Sequence, residues 1–139
     1  MIEFHFKSDL LFDNKSDYSD WINRILESEG FVLGQIDYIF CTDDYLLELN
    51  QEYLNHDTFT DIITFDYTDG ITISGDIFIS TDRVKENASS FEVGFEEELL
   101  RVMSHGVLHL MGYGDKSEKD QRQMRSKEEE KMNMFHVEP

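Results

Sequence analysis

Apolar and polar residues alternate from the second position. Ile2, Phe4 and Phe6 fall on one side of IEFHF (2–6) and Glu3 and His5 on the other, the period of a strand. A helical period follows through WINRILESE, with Asp17 or Ser19 as its cap and Gly30 at its end. QIDYIFCT (35–42) reads as a second strand. Thr42-Asp43 then caps a helix whose apolar positions are Leu46, Leu47, Leu49 and Tyr53. The β-branched run 60–65 predicts a third strand, Asp69-Gly70 a hairpin turn, and ITISGDIFIS (71–80) a fourth strand. Thr81 or Asp82 starts a helix through VKENASS.

The most helix-like stretch is 95–111. Leu99, Leu100, Met103, Val107, Leu110 and Met111 give it a broad apolar surface, which predicts deep burial. Gly106 interrupts it at a cost of about 1 kcal/mol in helix propensity, and so marks a place where another part of the chain or a ligand comes close. Ser117 opens a capping-box-like Ser-Glu-Lys-Asp and a last, highly charged helix. Its few apolar anchors (Met124, Met132, Phe135) predict a surface position. A few strands with segregated helices point to an α+β fold.

The only proline is the last residue and no linker or repeat breaks the chain, so residues 1–139 read as a single domain. Cys41, the only cysteine, lies in the apolar run IDYIFC and reads as a core residue, which leaves no internal disulfide and no disulfide-linked partner. The start, MIEFHFKSDLLF, lacks the basic and apolar regions of a signal peptide, and no segment is long enough to span a bilayer. A cytoplasmic location without membrane contact is the expectation. Thirty acidic residues against twelve basic ones give a net charge of −18. That opposes non-specific nucleic-acid binding, though a local basic groove is compatible with it.

The chemistry concentrates in HGVLHLMGYGD (105–115). His105 and His109, four apart, share one helix face and can grip one metal ion. Gly112 can turn the chain so that Asp115 supplies a third ligand. Three protein ligands leave a position for water, the layout of a catalytic zinc site, with non-haem iron(II) as the alternative for such a donor set. The spacing is also that of metzincin peptidases, which carry glutamate after the first histidine as general base. Here that residue is Gly106, which cannot take a proton. Zinc lowers the pKa of bound water to about 7 at good sites, so hydrolysis of phosphate esters ranks ahead of peptides.

At these residues the chain resembles the YbeY family of bacterial metallo-endoribonucleases. The family signature His-Gly-x-Leu-His-Leu-x-Gly-Tyr-Asp-His corresponds to 105–115. Leu49-Asn50, Thr60-Asp61-Ile62-Ile63-Thr64-Phe65 and Ser74-Gly75-Asp76-Ile77 match its upstream segments, and Met124 and Glu128 fit the Met-x3-Glu that follows. The resemblance implies an α+β fold with a small mixed sheet, its metal-binding helix and turn in the C-terminal third, and a single zinc ion held by His105, His109 and Asp115. It also implies single-strand-specific cleavage of RNA, in maturation of the 3′ end of small-subunit ribosomal RNA and in ribosome quality control, with the small ribosomal subunit as partner. Two departures from it matter. Asp115 stands where the family usually has histidine, which makes bound water less acidic. Leu54 stands where the family usually has arginine, with His56, Arg83 and Lys85 as basic candidates to stand in. Beyond water on the zinc, the catalytic groups are left unassigned, with Asp76 and His56 as candidates. Asp61 and Asp76 also read as turn or cap residues, Tyr113 as core packing, and Glu96-Glu97-Glu98 and Glu128-Glu129-Glu130 as solvated helix faces. Two rival functions remain at this level: a zinc metallopeptidase-like hydrolase, and a non-catalytic, metal-stabilised ribosome assembly factor.

Overall fold

Strand alternation builds the sheet. In a computed structural model that describes residues 1–54 and 60–135, four strands form: β1 (Ile2–Phe6), β2 (Val32–Cys41), β3 (Ile62–Asp66) and β4 (Thr72–Ser80). Their order is β1-β2-β4-β3. β1, β2 and β4 run parallel, and β3 pairs antiparallel with β4 at the edge, so the sheet is mixed. Asp69 and Thr72 exchange both backbone hydrogen bonds around Gly70-Ile71, closing the expected hairpin.

Among the described residues, five helices pack on the sheet or on one another: α1 (Lys15–Ser28), α2 (Asp43–Leu54), α3 (Thr81–Ser90), α4 (Phe95–Leu110) and α5 (Glu118–Met132). One sheet face, with Ile36, Tyr38, Phe40, Ile73, Ile77 and Ile79, packs against α1 and α4 in the main core. The other face is covered in part by α2, where Cys41, Leu46 and Ile63 form a second cluster with Leu49, Phe65 and Phe78. Burial pushes the Cys41 thiol up to about 12, the inert state of a core residue. None of the described helices is long and apolar enough to cross a membrane.

Several element boundaries shift from the sequence reading. α1 begins at Lys15 with Asn14 as cap, which puts Asp17 in the first turn and Ser19 inside, its hydroxyl donating to Ser16. β2 starts at Val32, not at 35. β4 runs straight into α3, so Ser80 is the cap, accepting from the Arg83 amide, while Asp82 accepts from Asp43. Tyr53 is exposed, its ring edge-on to Phe65. The Thr42 and Ser117 caps form as expected, on the amides of Tyr45 and Asp120.

α4 is the buried helix that its composition requires. Gly106 is where it meets the sheet: a Cβ there would lie 2.8 Å from Ile77 Cγ2 and 3.0 Å from Ile62 Cδ1. The bare backbone lets α4 settle against β3 and β4, which accounts for a residue of poor helix propensity at this point. α5 is less superficial than its charge suggests. It buries Met124, Glu128 and Lys131 against the rest of the molecule.

Candidate metal centre

α4 carries a polar stripe on a helix that is mostly buried beyond its first turn. Arg101, His105 and His109 are spaced four apart and all line one cleft of about 290 Å³. The opposite wall is the edge strand β3 and its approach: Thr60, Asp61, Ile62 and Thr64. Asp115 joins the same cleft because of how α4 ends. The Tyr113 amide donates to Leu108 and the Gly112 amide to His109, the paired bonds of a Schellman turn. Gly112 sits at φ +102°, which an L side chain rarely adopts. The chain reverses there and returns the Asp115 carboxylate to the histidines.

Asp115 Oδ2 lies 3.3 Å from His109 Nε2 and 3.5 Å from His105 Nε2. One ligand atom from each of the three residues lies within 4.8 Å of the others, and all three residues are half-buried. A tetrahedral ion with arms of about 2.0–2.1 Å separates its ligands by roughly 3.4 Å. The spacing on Asp115 fits that figure. These three side chains can therefore hold one ion.

Behind the cluster lies a buried charge network that the sequence reading missed. His105 Nδ1 is 2.6 Å from the Glu128 carboxylate, which accepts. The proton on Nδ1 leaves the Nε2 lone pair directed toward Asp115 and His109. Arg101 donates to both Glu128 and Glu98. The two glutamates are almost wholly buried, with side-chain exposures of 3% and 2%. Burial works against the Arg101 guanidinium, but Glu98 and Glu128 more than offset it and raise its pKa. With the imidazoles neutral, Glu98, Glu128 and Asp115 against Arg101 leave two formal negative charges at the site. A divalent cation matches that balance.

The glutamate runs at 96–98 and 128–130 are thus not wholly solvated: Glu98 and Glu128 turn inward while their neighbours do not. Two signals pointed to this network. Arg101 interrupts the apolar run Leu99 to Met103 four residues before His105, and Glu128 belongs to the Met-x3-Glu match. Tyr113 is not core packing either. Its hydroxyl donates to Glu29 at the end of α1, 2.6 Å away.

Of the two candidate catalytic side chains, Asp76 is not brought to the cluster. Asp76 sits on the sheet face opposite α4, because its neighbours Gly75 and Ile77 face Leu110 and Gly106. There it accepts from the Tyr67 hydroxyl and does not line the cleft. His56 lies outside the described residues. Asp61 does reach the cleft, its carboxylate accepting from Asn87. Arg83 is engaged by Asp43 and Glu86 at the junction of α2 and α3, and Lys85 is exposed on α3. Ser104 is buried and donates to the Arg101 carbonyl.

Comparison with known proteins yields one family. A family model described as Endoribonuclease YbeY matches residues 3–136. Proteins named Endoribonuclease YbeY are similar along nearly the whole chain. The one from Flavobacterium johnsoniae is 56% identical over 99% of both chains. That from Christiangramia forsetii is 53% identical over 99% of this chain and 96% of its own. Among solved structures, the solution structure of TM1509 from Thermotoga maritima superposes with a TM-score of 0.67 at 28% identity, covering 97% of this chain and 89% of that one.

Proposed function

The chain belongs to the Endoribonuclease YbeY family, and from that premise we propose how its site cuts RNA. It is an endoribonuclease of ribosomal RNA maturation, a hydrolase acting on phosphodiester bonds. We assign its metal to His105, His109 and Asp115, and the ion to zinc, with single-stranded RNA at the 3′ end of small-subunit ribosomal RNA as substrate and the small subunit as partner. The whole chain, 1–139, works as one such domain, in the cytoplasm where ribosomes mature. The observation that carries the assignment is the convergence of Nε2, Nε2 and Oδ2 at the mouth of the cleft.

Bound there, zinc would polarise a phosphoryl oxygen and acidify water. The chain's own residues do the rest. Glu128 orients His105 through Nδ1, and Arg101 donates to Glu128 and holds it in place. Asp115 would add a negative charge to the ligand set and so moderate the acidity that zinc confers on water. Thr60, Thr64 and Asp61 present hydroxyls and a carboxylate along the opposite wall, where a strand of RNA passes. A peptidase base has no room: the Gly106 position is closed by Ile77 and Ile62.

Stripping the metal with a chelator should abolish cleavage of single-stranded RNA, and stoichiometric zinc should restore it. A His109→Ala, Asp115→Ala double variant that cleaves RNA as well as the wild type without bound metal would sink this assignment.

A further inference from the structure

The charge of this chain is unevenly distributed. Against a net of −18, residues 116–127 carry Lys116, Lys119, Arg122, Arg125 and Lys127 with only Glu118 and Asp120. That net of +3 falls at the loop after Asp115 and on α5, beside the metal centre. Lys127 is turned away, tied to Glu29 at 3.0 Å. Arg122 and Arg125 are exposed and make no ion pair among the described residues, in a chain with thirty carboxylates.

These two arginines also line a continuous path. A hollow of about 280 Å³ behind the metal centre is bounded by His105, Asp115, Gln121 and Arg125. A shallow, open groove of about 560 Å³ runs along the exposed face of α5 alone, among Gln121, Arg122, Arg125 and Ser126, with Glu118 and Glu129 beside them. Gln121 and Arg125 border both, so the groove leads from the metal centre onto the exposed face of α5. Arg101 cannot serve a phosphate in the same way, because Glu98 and Glu128 occupy its guanidinium. Arg83 is likewise engaged by Asp43.

We propose that Arg122 and Arg125 form a phosphate track that holds the RNA strand where it leaves the metal centre, setting its direction across α5. The proposal rests on the nuclease reading above. An arginine fork pairs well with phosphate oxygens. Two of them three residues apart on a helix, about 4.5 Å along its axis, can follow consecutive phosphates of an extended strand. In an acidic protein, such a local track supplies the attraction that the net charge withholds.

The test is binding of a short fluorescein-labelled oligouridylate to the metal-loaded protein, read by anisotropy over a range of salt before cleavage develops. The Arg122→Ala, Arg125→Ala double variant should bind about fivefold to tenfold more weakly, and its log–log salt dependence should be shallower by about 1.4, or about 0.7 per lost phosphate contact. A Lys7→Ala, Lys15→Ala variant removes the same charge outside the groove and should keep the wild-type slope. Circular dichroism and metal content should match the wild type in both. Equal slopes in the wild type and the arginine variant, or equal losses in both variants, would overturn the track. A wild type that shows the slope difference but cuts no RNA would support the track and count against the nuclease reading alone.

Discussion

At the scale of single residues, Glu128 shows how a side chain remote from the substrate governs a metal centre. It is buried, accepts from His105 Nδ1 at 2.6 Å and receives Arg101 at 3.3 Å. Its carboxylate fixes the tautomer and ring plane of His105 and makes Nε2 a stronger donor. Glu128→Gln keeps the shape and removes the charge. Metal affinity, measured by competition with a chromogenic chelator, should fall about 10–100-fold. Unchanged affinity would mean that His105 holds its orientation without this partner. The pair of histidines and Asp115 were legible in the sequence because their spacing is local. Glu128 was read as solvated because its pairing spans 23 residues of chain and no helical period reports it.

At the scale of elements, α4 is the piece on which the site depends. Its apolar sides are held by the sheet, α3 and α5, and the stripe of Arg101, His105 and His109, with Val102 beside it, meets the cleft. The depth of that seating is set at Gly106. Gly106→Ala would regain about 1 kcal/mol of helix propensity but would drive a methyl into Ile77 and Ile62, at a cost of typically about 1–3 kcal/mol. A net loss centred on about 1 kcal/mol, and no more than about 2 kcal/mol, is expected in urea unfolding. A variant as stable as the wild type would show that the sheet yields. The helix, its burial and the odd glycine were all readable from the sequence. What came close to that glycine was not, since Ile77 and Ile62 are assigned to it only by the packing of α4 on β3 and β4.

At the scale of the whole molecule, Glu29 closes the structure. At the end of α1 it accepts from Tyr113 at 2.6 Å, Lys127 at 3.0 Å and Lys131 at 2.8 Å, joining α1 to the turn after α4 and to α5. Trp21 adds a bond from its indole to the Lys131 carbonyl. Burial alone would raise the Glu29 pKa, but the hydrogen bonds from Lys131, Tyr113 and Lys127 prevail and bring it from 4.5 to about 2. A carboxylate with a depressed pKa stabilises the fold fully above its unfolded value and loses that contribution as pH falls through the folded one. The melting-temperature advantage of the wild type over Glu29→Gln should therefore be constant above pH 4.5 and disappear between 4.5 and about 2. A difference that persists at the acid end would place the effect of the substitution elsewhere.

Local order determined much of this protein in advance. Periods of two and near four marked the strands and helices, and the short loop from His109 to Asp115 already implied one metal cluster, because neighbours in sequence along a helix and its turn are neighbours in space. The catalytic suggestions outside that loop were not decided locally. Asp76 depends on which face of β4 meets α4, and alternation cannot name the face until the sheet is packed. The buried network of Glu98, Arg101 and Glu128 depends on α5 folding back over α4, and charges that look solvated in a polar helix become interior once paired. The order of the strands, the depth of α4 and the groove along α5 are properties of long-range contacts, which only the tertiary structure supplies.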